Sequence, residues 1–549
     1  MAKKKWFLYI TSFLAGLSIM AVEIAASRLL SPFFSSSQIV WTMIIGTIMI
    51  ALAVGNIWGG RSAAKDPNPG KLYLRLIIAA AWISLIPLVG KYIIAGISLL
   101  LATFVSGNYL IWSSLITCLV LFFFPLMLLG TTTPSLTRYT VQNVEESGLI
   151  VGRLSALNTV GSIIGTFLPT FVTIPLVGTS LTFIIFAVIL LALGLTYFIV
   201  KAVDDHKNGD GINKKEVISS SIGAGLAILF TVAQMFTPSR LAFWDGELIY
   251  EGESMYNYLR VTERADGRRY LSTNVMVGMQ SAYYPTIGFH GAYYDTAVMA
   301  PMFVPLDVNE DLDVLMLGLG TGTYSKYLYH YYSDYNVNID GIEIDGAIID
   351  LAYKYFDLDP EVNVYEEDGR AFLEYGAGKN KMYDIIFVDA YEDISIPFQM
   401  SSVEFMEIIA EHLNENGMVM LNMNMRSNKK GSINDYLIDT VATQFKKIYT
   451  ALGGSSNRLL FASKNENVLL EVVRPQIDAL EEGPLKVRLN RVYDNLITPE
   501  IGNLILTDDK APVEVLSMRV LDDFINEQLE VVRKGIKEKG FLDFIREYL

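Results

Sequence analysis

The sequence predicts three parts in succession: a multi-span α-helical membrane domain, a small antiparallel β domain, and an α/β domain built on a parallel, doubly wound sheet. Three observations carry that prediction. Apolar runs of membrane-spanning length crowd the chain before residue 240. Short alternating runs fill residues 241–300. From 311 onward strand-like and helix-like patterns alternate, which implies a parallel sheet. The expected boundaries are 1–240, 241–305 and 306–549.

Composition agrees with this division. The chain has 549 residues, 52% of them hydrophobic, and a formal charge of −15. Its mean hydropathy of +0.35 is too high for an ordinary soluble enzyme, and its length implies two or more domains. Net negative charge argues against nucleic acid as a partner and is compatible with a cationic substrate. Cys118 is the single cysteine, which excludes internal disulfides and thiolate zinc sites. With four scattered histidines, no metal is expected.

In chain order, seven apolar runs of spanning length occur near 6–30, 38–58, 73–92, 109–130, 155–176, 180–200 and 217–236. The stretch 92–106, YIIAGISLLLATFVS, is apolar but short, and reads as an eighth span or a re-entrant piece. Gly161 and Gly165 form a GxxxG spacing that lets two helices approach closely. Lys3, Lys4 and Lys5 place the N-terminus in the cytoplasm by the positive-inside rule. With seven spans, the loops holding Arg61, Lys65 and Lys71, then Arg138 and Arg153, then Lys201, Lys207, Lys214 and Lys215 share that side. The C-terminal part then lies outside. With eight spans it is cytosolic, but the later basic loops move out. Glu23, an ionisable group inside a span, is a functional suspect, whereas Arg28 near the span's end can snorkel.

After the last span come ELIYEG, YNYLRVTE, RRYLS and VMVGMQ, with ADG as a hairpin turn. The strands expected of the parallel sheet are DVLMLGL, VNIDGIEI, VNVYEE, YDIIFVDA and GMVMLNMNM. GAIIDLAYKYF and SSVEFMEIIAEHLN are helices between them, and the tail from about 516 is a covering amphipathic helix. In such sheets ligands bind beyond the carboxyl ends of the strands. Those ends carry Gly318, Gly320 and Gly322, then Glu343, then Asp368-Gly369, then Asp389. Glu343 has the spacing at which an acid holds both ribose hydroxyls, so the set predicts a nucleoside site. A dinucleotide or ATP site would call for a phosphate cradle with lysine or arginine nearby. Successive carboxylates suit a phosphate-free, cationic S-adenosyl sulfonium instead.

With those residues in view, the chain resembles the spermidine synthase (polyamine aminopropyltransferase) family. The matching stretches are ESMYNYLRVTERADGRRYLSTNVMVGMQ, VLMLGLGTG, GIEIDGAIIDLAYKYF, DGRAFL and YDIIFVDAYED. The preceding half, with VEIAASRLLSPFF, GNIWGGR and LGTTTPSLTRY, is similar to the membrane module fused to such synthases in many bacteria, itself like half of a major facilitator transporter. LTDDKAPVEVL also recurs in that fused group. The resemblance implies a Rossmann-like, class I methyltransferase-like catalytic domain. It implies decarboxylated S-adenosylmethionine or S-adenosylmethionine as co-substrate, and a small amine as acceptor. Glu343 would bind the ribose and Asp368-Gly369 the adenine side, Gln280 would lie at the substrate side, and Asp389 would be the acid–base residue. The lipid bilayer is the expected surrounding, with the catalytic side cytosolic because the donor is made there. A half-sized transporter module would call for a partner copy, hence a homodimer.

Several positions depart from the family pattern. Thr321 stands where the glycine loop usually carries an aspartate, and DAYED replaces DxxDP, leaving Glu392 or Asp393 as the second carboxylate. Tyr293-Tyr294-Asp295 replaces YHE. Tyr293 and Tyr294 read either as packing aromatics or as faces for a cation, and Gln280 either as turn chemistry or as a ligand. Asp508 and Asp509 read as a solvated turn or as a supply of missing charge. Three function classes stay open: a membrane-tethered aminopropyltransferase, an S-adenosylmethionine-dependent methyltransferase, and a transporter-like protein with a nucleoside-sensing domain.

Overall fold

The structure, a computed structural model, describes all residues except 1–4, 142, 144, 209–213, 238–239, 276–277, 392–394, 425–426, 428, 455, 467–469 and 541–549. The chain forms two compact units, one from Met1–Trp244 with Gln528–Leu549 and the other from Asp245–Glu527.

The first unit is helical. Lys5–Phe34, Gln38–Lys65, Pro69–Phe104, Ser147–Asn208 and Lys214–Phe236 are long and apolar enough to cross a membrane, and Tyr109–Leu121 with Phe123–Thr140 makes a sixth if that pair, bent by 51°, is one span. At 1.5 Å per residue a straight helix of 62 residues would reach about 93 Å, three times a bilayer core. Ser147–Asn208 is instead broken at Gly178, which has φ +79 and ψ 170. Divided there, each of the seven apolar runs has a helix of its own. The stretch 92–106 has no helix of its own: the helix from Pro69 continues through it to Phe104. The GxxxG expectation is met: a Cβ at Gly161 or Gly165 would overlap the Phe13 or Leu17 carbonyl. Ser12 Oγ donates to the Leu154 carbonyl at 2.9 Å across the same contact. Glu23 is half-buried in the first helix.

The second unit contains two sheets. The smaller is antiparallel, β1 (Leu248–Glu253), β2 (Tyr258–Glu263), β3 (Arg269–Ser272) and β4 (Ser281–Tyr283), paired in that order. Gly267, with φ +80, makes the ADG turn between β2 and β3. Of the expected strand VMVGMQ, Met276 and Val277 lie outside the described residues, Gly278 takes φ +101, Gln280 N–H bonds the Leu271 carbonyl at 2.8 Å and the fourth strand runs from Ser281. Leu259, Val261 and Leu271 from this sheet bury themselves against Ile348, Leu351 and Phe356. The small β element therefore packs into the α/β unit.

The larger sheet has β5 (Asp311–Leu317), β6 (Asn336–Glu343), β7 (Asn363–Glu366), β8 (Tyr383–Val388), β9 (Leu413–Met423), β10 (Lys447–Gly453) and β11 (Asn457–Ser463). Their spatial order is β10-β11-β9-β8-β5-β6-β7. The five strands read from the sequence are mutually parallel. Both faces of the sheet are covered, which is why these strands are nearly continuous apolar runs. Val314, Met316 and Phe387 face one core with Tyr324 and Leu328, while Leu315, Leu317 and Val388 face another with Phe372 and Phe405. β10 and β11, an antiparallel hairpin at one edge, were not foreseen. The connecting helices start on side-chain caps: Asp345 accepts from Ala347 N–H at 3.1 Å and Asp368 from Ala371 N–H at 2.9 Å.

The tail helix runs Val513–Lys539. Leu516 and Val520 pack in the second unit's core, but residues from Gln528 group with the helical unit, contrary to the expectation that the last domain extends to 549. The reason is chemical. Arg533 donates to the carbonyls of Ala102 and Val105 at the end of Pro69–Phe104.

Candidate active site

The site lies where β5, β6, β7 and β8 end. After Leu317 the chain turns through Gly318 and Gly320 with φ of +92 and +55, both in the left-handed region. A Cβ on Gly318 would stand 2.5 Å from the Asp389 carbonyl oxygen, and one on Gly320 would stand 2.6 Å from Ser281 Oγ. Glycine is thus demanded by close approach as well as by conformation. Gly322, also left-handed, opens the helix Thr323–Tyr331. Lys326 on that helix is not free for a phosphate. It donates to the Phe356 carbonyl and lies 4.7 Å over the Tyr283 ring.

Glu343 ends β6 and reaches back to the turn. One carboxylate oxygen accepts from Gly320 N–H at 3.0 Å and the other from Asp345 N–H at 3.1 Å. Burial pushes its carboxyl up to about 7 against the pull of these N–H groups. Asp368 and Gly369 follow β7, and among the described residues the cap engages one Asp368 oxygen, which accepts from Ala371 N–H. Gln280 sits at the rim of the turn, one residue before Ser281, whose Oγ accepts from Thr321 N–H at 3.2 Å. Its own side chain donates to Thr273 Oγ at 3.2 Å. Thr321, standing in for the family's aspartate, is buried.

Asp389 ends β8. Its backbone N–H bonds the Leu317 carbonyl at 2.8 Å, so it stands directly beside the glycine turn. One carboxylate oxygen accepts from Tyr293 O–H at 2.5 Å and the other from Asn422 Nδ2 at 2.8 Å. Burial raises this carboxyl to about 7, with both hydrogen bonds pulling it down. Tyr293 is therefore more than packing. Tyr294 is buried against it, with ring centroids 4.1 Å apart. Asp295, the departure from YHE, is engaged by Gly291 N–H at 2.7 Å and by Tyr327. Glu392 and Asp393 lie outside the described residues.

Two functional neighbours escaped the sequence reading. Asn422 on β9 touches Asp389, and Asn457 on β11 donates to Asn422 Oδ1 at 3.0 Å. The signal for Asn422 was a polar residue at the carboxyl end of an apolar strand; Asn457 carried none. Asp508 carries a pairing that was not expected. It does stand exposed in the turn Thr507–Lys510, but it is no free charge, because Arg370 grips it with two bonds of 2.8 Å and Ser402 Oγ donates to it at 2.6 Å. Arg370 also holds the Gln399 carbonyl at 3.1 Å. The strap around 506–510 thereby ties the start of Gly369–Glu374 to the start of Val403–Glu411.

A glycine turn, an acid at the second strand end and further carboxylates at the third and fourth define the class: a nucleoside-binding, class I methyltransferase-like α/β fold. Comparison with known proteins narrows it. Residues 300–453 match the spermine/spermidine synthase domain. The chain is 40% identical over 338 residues to a probable polyamine aminopropyl transferase of Bifidobacterium longum, covering 58% of this chain and 74% of that one. Among solved structures it is similar to spermidine synthase from Thermotoga maritima, at 19% identity over 46% of this chain and 85% of that one, with a TM-score of 0.36. A spermidine synthase in complex with the transition-state analogue AdoDATO matches at 20% identity, 46% and 86% coverage and a TM-score of 0.37. The chain belongs to the polyamine aminopropyltransferase family, and it is a transferase.

Proposed function

We propose that this protein is a membrane-tethered aminopropyltransferase that moves the aminopropyl group of decarboxylated S-adenosylmethionine onto an amine such as putrescine, with Asp389 as base. The observation that supports the reading is the placement of Asp389, whose backbone lies against the glycine turn at Gly318 and whose buried carboxyl, held by Tyr293 and Asn422, is raised to about 7. In this reading Glu343 accepts from the ribose hydroxyls, Asp368 from the adenine amino group, and Gln280 borders the aminopropyl end. Lys326, the lysine on the helix that follows the glycine turn, is engaged by the Phe356 carbonyl, which leaves it no role with a phosphate and suits a sulfonium donor.

The chemistry follows from the residues. An acceptor ammonium of pKa near 10.4 must lose its proton, at a cost of roughly 4.6 kcal/mol at pH 7. Asp389 orients that ammonium and takes the proton. The freed lone pair attacks the carbon next to sulfur, a C–N bond forms as the C–S bond breaks, and the sulfur leaves as the neutral thioether methylthioadenosine. The long apolar helices support tethering to a lipid bilayer.

Mass spectrometry of products from the full chain, offered both donors and a panel of amines, tests this. Methylthioadenosine with an aminopropylated amine is expected. S-adenosylhomocysteine as the product would make the protein a methyltransferase and overturn the proposal.

A further inference from the structure

The acid at the end of β8 is the near end of a longer chain of bonds. Tyr293 O–H and Asn422 Nδ2 each hold one oxygen of Asp389. Asn422 Oδ1 accepts from Asn457 Nδ2 at 3.0 Å, and Asn457 Oδ1 accepts from Ser456 Oγ at 2.8 Å. Each amide is thus oriented by the next. Asn422 is almost fully buried, so its amide has no solvent to turn toward. Its main chain is pinned as well: the Tyr391 hydroxyl donates to the Asn422 carbonyl and accepts from Asn424 N–H at 2.9 Å. The β10–β11 hairpin that carries Asn457 is seated against the same corner, since a Cβ on Gly453 would stand 2.8 Å from Tyr293 Cβ.

An amide has one donor end and one acceptor end. Turned one way, Asn422 gives an N–H to Asp389 and favours its ionised form. Turned the other way, it offers an oxygen, and Asp389 must keep a proton to bond it. Asn457 decides between them. We propose that Asn457 is a positioning residue for transfer: it locks the Asn422 amide with its N–H on Asp389, so that the base meets the acceptor amine ionised. This rests on the reading of Asp389 as the base.

The other groups that face Asp389 leave the decision to this relay. Tyr293 and Tyr294 face it from the turn before the larger sheet and Tyr391 from its own strand's extension. Asn422 faces it from β9, and β5 presents the backbone of Gly318. Among the described residues no lysine, arginine or second carboxylate acts on it.

The test is the pH dependence of kcat/KM for the acceptor at saturating donor, which keeps the donor-side acid Glu343 from titrating. Asn457→Asp can only accept, so it draws Asn422 Nδ2 to itself and turns Oδ1 toward Asp389. The acid limb is expected to move up by about one pH unit, the size of one lost bond to a charged group, and activity should return on raising the pH. The added negative charge acts through space too, so the same change is made with Asn422→Leu, where no amide can turn. The relay predicts a clearly smaller shift there. Asn457→Leu, which removes the donor without adding charge, should move the limb the same way by less. Unchanged methylthioadenosine binding shows that each variant is folded. No shift in Asn457→Asp, or equal shifts with and without Asn422, overturns the relay alone. If Asp389→Asn keeps the wild-type rate, it is the base assignment that falls.

Discussion

Replacing Asp389 with asparagine changes one atom type and should separate chemistry from binding. The donor turn touches residue 389 only through backbone, Gly318 beside the Asp389 carbonyl and Leu317 O bonded to its N–H. Nucleoside affinity should therefore stay within about threefold, well under 1 kcal/mol. The rate should not. Without the carboxylate, the acceptor must arrive already neutral, and an amine of pKa near 10.4 is neutral in roughly 1 molecule in 2,500 at pH 7. A loss of about 10³ in kcat is expected, inside the usual span for general-base catalysis. The pH profile adds a signature. Wild type should gain activity as its own carboxyl ionises, below the empty-site value of about 7 because the sulfonium donor favours the charged form, and then level. The variant should keep rising about tenfold per pH unit toward pH 10, narrowing the gap. Methylthioadenosine release reports the rate, and calorimetry with methylthioadenosine reports affinity. A variant within tenfold of wild type at pH 7 would refute the assignment. So would one that loses nucleoside binding along with turnover.

Three further outcomes follow. Because burial holds the Glu343 carboxyl near 7 in the empty site, and ribose hydroxyls favour its ionised form, methylthioadenosine binding should expel a proton below pH 7. Affinity should then fall up to tenfold per unit as pH drops, and Glu343→Gln should bind at least tenfold more weakly with a flat pH response; a flat wild-type response would contradict this. Arg370→Ala should release the strap at Asp508, expose 498–510 to protease and weaken methylthioadenosine binding about tenfold, or 1.4 kcal/mol, whereas protection equal to wild type would show that the strap holds without the pair. If Lys214–Phe236 crosses a membrane, the loop at Lys207 and the chain beyond Trp244 lie on opposite sides; with Cys118 buried and silent, an impermeant thiol reagent on intact cells should label only one of Lys207→Cys and Val308→Cys, and labelling of both or neither would show that this helix does not cross.

The parallel strands were legible because each is an apolar run that stops at a chemically distinct residue: Gly318, Glu343, Asp368 or Asp389. Burial on both faces makes such runs long, and ligand chemistry makes their ends polar. The edge hairpin was not legible for the converse reason. KIYTALG and NRLLFAS contain polar residues along their length and pair antiparallel across a turn, so neither resembled the core strands. Tyr293 looked like packing because its partner Asp389 lies 96 positions away. The pairing of Asp508 was hidden because Arg370 is 138 positions away. Local pattern specifies elements, whereas these pairings exist only once the sheet order is fixed. The apolar stretch 92–106 shows the same limit in the helical unit: hydropathy measures length but does not say where a helix ends.

The proposed roles also account for one feature that the individual residues do not. Both carboxyls at the heart of the pocket sit near 7 when it is empty, one at the donor side and one at the acceptor side. Each would be costly to keep charged, buried and without a cation. A sulfonium donor brings a positive charge into this space, and an opposite charge nearby lowers a carboxyl's pKa. Donor binding should therefore help ionise Asp389 before any acceptor arrives. The ammonium then meets a carboxylate whose orientation is already set by Tyr293 and Asn422, and the proton it gives up has a receptive site. A base kept strongly acidic by a permanent cationic neighbour would hold the ammonium well but take its proton poorly. Burial without a fixed cation avoids that, and it makes the readiness of the base depend on the presence of the donor.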